Sequence, residues 1–400
     1  MTPLRILHVV PYYEQAWAYG GIPRLATTMT RALARRGHEV VVCTTDARDA
    51  FTRASCGRED RHGVDVRTFR NVSNLVAYHF QFFTPIGLRA HLRESAAAFD
   101  IAHIHACHNL PGVLAAAELS RAGVPYVVSP NGTARPIERR VLAKRIFAVT
   151  AGRRMLRDAA RIVAVSRAER TQLQALGIPA PAVTEIPNPI DETEFERPPD
   201  VGRFRATLGV GDAPLVLFLG KLTPRKGLDH LVRAFATLDR PEAVLIIAGN
   251  DMGSGSAVDA LVRTLGLHRR VIRTGLLTGG ARLDALAAAN VVVYPSRDEI
   301  FGLVPLEALL CGTPVVVCDD SGCGEVIAAT GGGHVVPHGN VAELSGAIAW
   351  TLADEQFWRR RARAGADVVR QLFGADVVAR QLEEMYRNVL TEAADRRMSA

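Results

Sequence analysis

The sequence has no two cysteines at the spacing of a zinc or redox motif; its six cysteines, at 43, 56, 107, 311, 318 and 323, stand singly. Several fall in apolar stretches, which points to buried free thiols in a reducing cytosol. No run approaches the roughly 18 uninterrupted apolar residues of a membrane span. The start, Met1 to Pro11, lacks the long apolar core and small-residue cleavage site of a signal peptide and reads as a first β-strand. Asp-x-Asp, a common ligand pair for a metal-bridged diphosphate, is absent. No zinc spacing or RRM-like aromatic motif accompanies the basic residues, so nucleic acid is not an expected partner. Aromatics are scarce, at 6% against 48% hydrophobic residues, an ordinary balance for a soluble α/β protein. With 400 residues the chain has room for two domains, each with its own core.

What is present in excess is positive charge, +7 in all, and one window accounts for it. Between Ala134 and Arg161, nine Arg and Lys residues face only Glu138 and Asp158. Apolar Ile137, Val141, Leu142, Ile146, Phe147, Met155 and Leu156 are interleaved with them, the pattern of basic amphipathic helices at an anionic membrane surface or partner. A solvated helical face gives the same pattern. The expected location is cytoplasmic, with peripheral attachment to the inner face of the plasma membrane through 134–161.

Strands and helices alternate along the whole chain, which argues for parallel sheets covered on both faces. One series of strands includes 6–10, 40–44, 64–69, 101–105, 126–129 and 161–165; a second includes 215–219, 243–248, 271–274, 291–294 and 315–318. Prolines and turn formers from Ile186 to Asp200 mark a hinge between two Rossmann-like halves. The expected divisions are 1–185, a linker 186–200, 201–374, and a last helix and tail 375–400, whose docking the sequence does not fix.

In the first half, Gly20 and Gly21 precede a helix that opens on Pro23 and stops at Gly37. Two glycines let backbone approach a phosphate or an acceptor closely; they equally suit a tight turn, and no GxGxxG stands there. His103 and His105 share one face of a strand, with His108 in the following loop. Ligands of parallel sheets lie beyond the carboxyl ends of strands, so His105 and its loop stand where chemistry belongs, and Asn131-Gly132 after the next strand joins them. The three histidines lack a supporting carboxylate or cysteine set, so no metal site is expected.

The second half carries two strand-loop-helix segments. In Gly220-Lys221-Leu222-Thr223-Pro224-Arg225-Lys226-Gly227, a glycine, cations and a helix start form an anion site, although lysines at a turn also suit solvent. Well-placed donors of this kind contribute ~2.7–4 kcal/mol each. The second segment, Glu299-Ile300-Phe301-Gly302-Leu303-Val304-Pro305-Leu306-Glu307, sets two glutamates around a helix that opens near Pro305 and stops at Gly312. Unpaired N–H groups at 302–304 suit a diphosphate, and the carboxylates suit vicinal hydroxyls of a sugar and a ribose. A first-turn glutamate also serves the helix dipole alone, and a glycosidase would need its two carboxylates roughly 5 to 9 Å apart, a distance the sequence leaves open.

Over nearly its full length the chain resembles the family-4 retaining glycosyltransferases (glycosyl transferases group 1) of the GT-B architecture. The resemblance rests on Gly20-Gly21, on DIAHIH from Asp100 to His105, on IPNPID, and above all on GKLTPRKG and EIFGLVPLE followed by GTPVVV. It implies an α/β fold of two Rossmann-like domains with parallel sheets facing a central cleft. It also implies a nucleotide-sugar donor held by the second domain and a glycan or lipid-linked acceptor held by the first. Carried over by position, Glu299 binds hexose hydroxyls and Glu307 the ribose. Lys221 and Lys226 take the diphosphate with the N–H groups of Phe301, Gly302, Leu303 and Val304; His105 lies by the transferred sugar and Gly21 near the phosphate. His105, Glu299 and Lys226 are the expected catalytic residues. No cofactor and no metal is expected, the donor being a co-substrate. Members often carry arginine where Lys221 stands and histidine where Asn131 stands; lysine keeps the charge without the bidentate fork. A UDP- or GDP-hexosyltransferase of cell-surface polysaccharide or glycolipid synthesis follows. The alternatives are a nucleotide-sugar epimerase or hydrolase of the same fold and a non-catalytic membrane-associated scaffold.

Overall fold

The computed structural model describes residues 2–134 and 152–398, so most of the basic window, 135–151, lies outside the described residues. The chain divides into two compact units, 1–189 with 375–400, and 190–374.

Among the described residues of the first unit eight strands form one sheet: β1 (Arg5–Val9), β2 (Glu39–Thr45), β3 (Gly57–Arg61), β4 (Val64–Phe69), β5 (Ile101–His105), β6 (Tyr126–Ser129), β7 (Arg161–Ala164) and β8 (Val183–Glu185). Their order is β3-β4-β2-β1-β5-β6-β7-β8, and every pairing is parallel except β3 with β4. The central strands are buried on both faces, as in a sheet covered twice. β3, by contrast, reads Gly-Arg-Glu-Asp-Arg at the sheet edge, where charge blocks pairing with another chain.

The last helix, Ala375–Met398, closes this unit although it comes last in the chain. Val378, Leu382, Tyr386 and Val389 are fully buried in one core cluster with Ile6, Leu25, Met29, Ile101 and Val127. Glu383 is bound by Arg36 at 2.6 Å and by Arg387 at 2.9 Å. Burial alone would raise its carboxyl, but those two arginines outweigh it and hold the pKa at about 2.

The second unit has six parallel strands: β9 (Leu215–Leu219), β10 (Val244–Ala248), β11 (Val271–Gly275), β12 (Val291–Tyr294), β13 (Val315–Cys318) and β14 (Gly333–Val336), in the order β11-β10-β9-β12-β13-β14. The chain thus winds one way from β9 to β11 and the other way from β12 to β14. The crevice at that reversal, beyond the carboxyl ends of β9 and β12, is where such sheets bind ligands. In the first unit the equivalent reversal falls between β1 and β5.

Four cysteines, 43, 107, 318 and 323, are buried free thiols. Cys56, just before the charged edge strand, is exposed, and Cys311 is half-buried. The expectation of buried thiols therefore fails at Cys56, because no apolar layer covers that edge. Among the described residues no helix is long and apolar enough to cross a membrane.

Candidate functional site

Both segments singled out in the second half converge on the β9–β12 reversal. Glycine is required at 227, where φ is +62° and a Cβ would stand 2.2 Å from the Pro295 carbonyl oxygen, so the loop after β9 lies directly against the loop after β12. The Arg297 N–H donating to the Arg225 carbonyl at 2.8 Å ties the same two loops. A third loop, after β13, fixes the backbone of Glu299: Ser321 Oγ and the Cys323 N–H donate to its carbonyl at 2.7 and 2.8 Å.

At this joint Lys226 and Glu299 meet. Lys226 Nζ donates to Glu299 Oε2 and to Tyr294 Oη, each at 2.5 Å, and lies over the Tyr294 ring at 4.5 Å. The lysine is only 7% exposed, so it is not the solvated turn residue that its sequence context also allowed. Burial alone would lower its pKa, but the Glu299 charge and Tyr294 raise it above the usual lysine range. For Glu299, burial would raise the carboxyl, and Lys226, Arg225 and Lys221 together pull it below its ordinary value. Burial and the Glu299 charge push the Tyr294 hydroxyl up to about 12. The group is thus an ammonium bonded directly to a carboxylate, with a neutral phenol accepting a second bond from the same ammonium. Glu299 is held ionised, the opposite of what a glycosidase asks of its general acid.

The helix Leu303–Leu310 begins directly beyond. Its N-cap, Gly302, has φ +77° and offers no side chain to the first-turn N–H groups. A Cβ there would meet Cys323 Sγ at 2.5 Å, so only glycine lets the β13 loop close over this helix start. Phe301 is buried against Phe373, ring centroids 5.4 Å apart, which fixes the backbone entering the helix. Pro305 stands in the first turn, and Gly312, φ +73°, follows the end. Glu307, 1% exposed, is paired with Arg282, which also binds Glu194 at 2.5 Å. Lys221 is half-buried in the loop after β9, near enough for its charge to act on Glu299.

On the first unit, Gly21 is the first residue of the helix Gly21–Arg35, capped by Gly20 at φ 99°. His105 ends β5 and is fully buried. Strand register sets His8 of β1 beside His103 of β5, and the two-residue period adds His105 to the same face. The His103 and His105 rings stack at 4.4 Å, and His8 Nδ1 hydrogen-bonds His105 Nε2 at 2.9 Å. His103 uses both nitrogens, one with Tyr386 Oη and one with Ser129 Oγ, each at 2.6 Å. The ring that completes the cluster is thus His8, not the His108 of the sequence reading, and the imidazole nitrogens are close enough to share a metal ion. In the arrangement described they bond one another and two hydroxyls instead. Burial lowers all three pKa values, His105 to about 3, so the rings are neutral. Among the described residues His105 Nδ1 is left buried without a partner, as is Asn131 Oδ1. Beneath Asn131 the carboxylate of Glu169 accepts the Gly132 and Val165 N–H groups at 2.5 and 2.9 Å, and burial raises it to about 7 despite those bonds.

Tyr294, Arg282, His8 and Glu169 are absent from the sequence reading. Ser166-x-x-Glu169 has the spacing of a capping box, and Ser166 Oγ does accept the Glu169 N–H. Nothing local announces the other three, whose shortest bonds, to Lys226, Glu307 and His105, reach 25 to 97 residues away.

Residues 19–194 match the model of Glycosyltransferase Family 4, and residues 202–368 that of Glycosyl transferases group 1. The chain is similar to D-inositol 3-phosphate glycosyltransferase of Kineococcus radiotolerans, 32% identical over 94% of this chain and 92% of that one. It is 27% identical to 2-deoxystreptamine N-acetyl-D-glucosaminyltransferase of Streptomyces fradiae over 98% of each. Among solved structures, HepE of Anabaena in complex with UDP-glucose superposes with TM-score 0.75 at 22% identity, covering 96% of this chain and all of that one. With its two Rossmann-ordered parallel sheets, its Lys226–Glu299 joint and these matches across both units, the chain belongs to the group 1, family-4 glycosyltransferases of GT-B architecture.

Proposed function

We propose that the protein moves a hexose from a UDP- or GDP-linked donor to a hydroxyl of a glycan or lipid-linked acceptor, with retention of configuration and without a metal. The observation that carries this reading is the Lys226–Tyr294–Glu299 group set beside an uncapped helix start at a topological reversal. Glu299, ionised, accepts hydrogen bonds from hexose hydroxyls. Glu307 accepts the ribose hydroxyls, and the N–H groups of Phe301, Gly302, Leu303 and Val304 take the diphosphate with Lys221 and Lys226. Gly21 and His105 keep the phosphate and sugar roles that the resemblance gives them. His105 Nδ1, which has no partner among the described residues, suits this, since a buried polar atom without a partner is costly until a ligand supplies one.

In the reaction the acceptor oxygen bonds to the anomeric carbon as the bond from that carbon to the β-phosphate oxygen breaks, on the same face. The departing phosphate oxygen takes the acceptor's proton. Lys226 and the helix start stabilise its negative charge, so catalysis is positioning and preorganised electrostatics. HepE, whose solved complexes hold UDP and UDP-glucose, supports a uridine donor, and the inositol phosphate and 2-deoxystreptamine in the relatives' names support a hydroxylated acceptor. Synthesis of a cell-surface polysaccharide or glycolipid is the proposed setting.

Purified Lys226→Ala and Glu307→Ala should both lose transfer while keeping a folded far-UV spectrum. Near-wild-type transfer by either sinks the site assignment. Donor consumed equally fast with and without acceptor would instead identify a hydrolase or epimerase.

A further inference from the structure

The carboxylate of Glu169, 1% exposed, is bonded to more than its own helix. Glu169 stands in the first turn of the helix Arg167–Ala175, where Ser166 caps the N-terminus. A capping glutamate reaches back toward its N-cap, and the Val165 N–H on Oε2 at 2.9 Å is a bond of that local kind. Capping does not account for Oε1, which takes the Gly132 N–H at 2.5 Å, 37 residues earlier in the chain. Burial disfavours the charged form here and raises the carboxyl to about 7 despite both bonds. A carboxylate kept in such a place needs a reason beyond the helix start.

Gly132 belongs to the loop after β6, and that loop is bonded to the loop after β5. The Ala106 N–H donates to the Ser129 carbonyl at 2.9 Å. Thr133 Oγ1 accepts the Cys107 N–H at 2.7 Å and donates to the Pro130 carbonyl at 2.6 Å. Of the seven non-glycine residues with positive φ among the described residues, three lie in these two loops: Ala106 at 63°, His108 at 53° and Asn131 at 52°. Backbone of this kind is strained, persists only where its surroundings over-determine it, and gathers at ligand-binding places. Both loops stand beyond the carboxyl ends of their strands, beside the β1–β5 reversal, and the first follows directly on His105. The run of bonds from Glu169 through Gly132 and Thr133 thus ends at Cys107, just past the side chain given to the transferred sugar.

We propose, on the glycosyl-transfer reading above, that Glu169 is a positioning residue of the reaction: as the carboxylate it holds the β6 loop, and through Thr133 the backbone after His105, in the reactive arrangement. Protonation sets a hydrogen on one of the two oxygens, so one backbone N–H then faces an O–H and the clamp is halved. Few neighbours compete for this titration. Cys107 of the β5 loop has its thiol pushed up to about 12 by burial and by the Glu169 charge, and His105 is neutral. The strands under the helix bring Arg161 of β7, paired with Glu392, and Glu185 of β8, which is exposed. Arg167 and Arg170 on the helix itself are exposed and carry their charge throughout. His108, whose Nε2 meets the Ala134 carbonyl at 3.0 Å, is the remaining group, and a Glu169 variant tells the two apart.

The test is the pH profile of nucleoside diphosphate release from UDP-glucose or GDP-glucose by the full chain, for wild type, Glu169→Gln and Thr133→Val. D-inositol 3-phosphate and 2-deoxystreptamine serve as acceptor probes, and slow transfer to water where neither accepts. Wild-type kcat/KM should fall below pH 7, by about tenfold per pH unit, until it meets the level of Glu169→Gln. Glu169→Gln should lack that limb and lie about 10–100-fold below wild type at pH 8. Thr133→Val, which keeps the carboxylate and cuts the link to Cys107, should lose a similar factor and keep the limb. UDP binding by calorimetry should be alike in all three, because the nucleotide grip lies in the other unit. A wild type without the acid limb overturns the proposal, as does a limb that persists in Glu169→Gln, which assigns it to His108 or another group. Thr133→Val at wild-type rate overturns it too, and this variant and the wild-type profile decide the matter if Glu169→Gln does not fold. A wild type that neither binds nucleotide nor releases it from either donor overturns the transfer reading itself, and with it this role of Glu169.

Discussion

Replacing His8 with leucine is expected to flatten the acid limb of the first unit's stability profile. His8, His103 and His105 are fully buried and neutral, with pKa values lowered by burial, that of His105 to about 3. Unfolded histidine takes up its proton near pH 6.5. The stabilisation is therefore complete above that pH and is lost as pH falls, while the unfolded chain binds three protons that the folded unit refuses. Each costs about 1.4 kcal/mol per pH unit. Glu169 acts oppositely: its folded carboxyl titrates at about 7, so it gains a proton before the unfolded chain does. For these four groups the balance is roughly two protons, or about 2.7 kcal/mol per pH unit between pH 6 and 5, a large part of an ordinary domain stability of about 5–15 kcal/mol. His38 and His91, whose pKa values burial also lowers, act in the same direction. His8→Leu removes one titrating group, so the slope should fall by about 1.4 kcal/mol per pH unit. At pH 8 the same change should cost about 1–3 kcal/mol, because His105 Nε2 loses its partner. Urea titrations at pH 8, 6 and 5, read by hydrogen exchange in peptides covering β1 and β5, separate the two effects. Parallel profiles for wild type and variant would refute the reasoning.

Glu383→Gln should destabilise the first unit by about 3 kcal/mol at pH 7, since Arg36 and Arg387 hold that carboxyl at about 2 in the folded state. The contribution is present above the unfolded carboxylate pKa and fades as pH falls toward 2, so a gap unchanged at pH 3 in urea titrations would contradict it. Gly227→Ala should abolish transfer while leaving the second unit folded, because its Cβ would displace the Pro295 carbonyl and part the two loops that bring Lys226 to Glu299; wild-type turnover would show that the loops need not touch. Lys226→Met should cost about 3–5 kcal/mol by leaving Glu299 buried without its bonded ammonium, and the double change Lys226→Met/Glu299→Leu should recover part of that in thermal unfolding.

The sequence made the two sheets legible because parallel central strands are continuous apolar runs, such as Val291-Val292-Val293-Tyr294, and need no partner to be recognised. β3, β8 and β14 escaped notice for the converse reason: one is a charged edge and the others are three and four residues long. The docking of the last helix was invisible because its contacts are remote, Tyr386 meeting His103 across 283 positions. At the site, the residue types in GKLTPRKG and EIFGLVPLE announced anion and hydroxyl binding. The direct bond between Lys226 and Glu299, and the Tyr294 hydroxyl that completes it, depend on a close approach of two loops 73 residues apart. Gly227 permits that approach, but a glycine in a sequence does not say which backbone it admits.

The central claim, that the second unit grips a nucleoside diphosphate sugar through Glu307 and the helix start at 303, is tested most directly by isothermal titration of UDP, GDP and ADP into wild type and Glu307→Gln. One nucleotide should bind wild type clearly more tightly than the other two and lose about tenfold or more in the variant, in keeping with a hydrogen-bonded carboxylate removed from a buried site. Binding of none of the three, or equal binding by both proteins, would contradict the account.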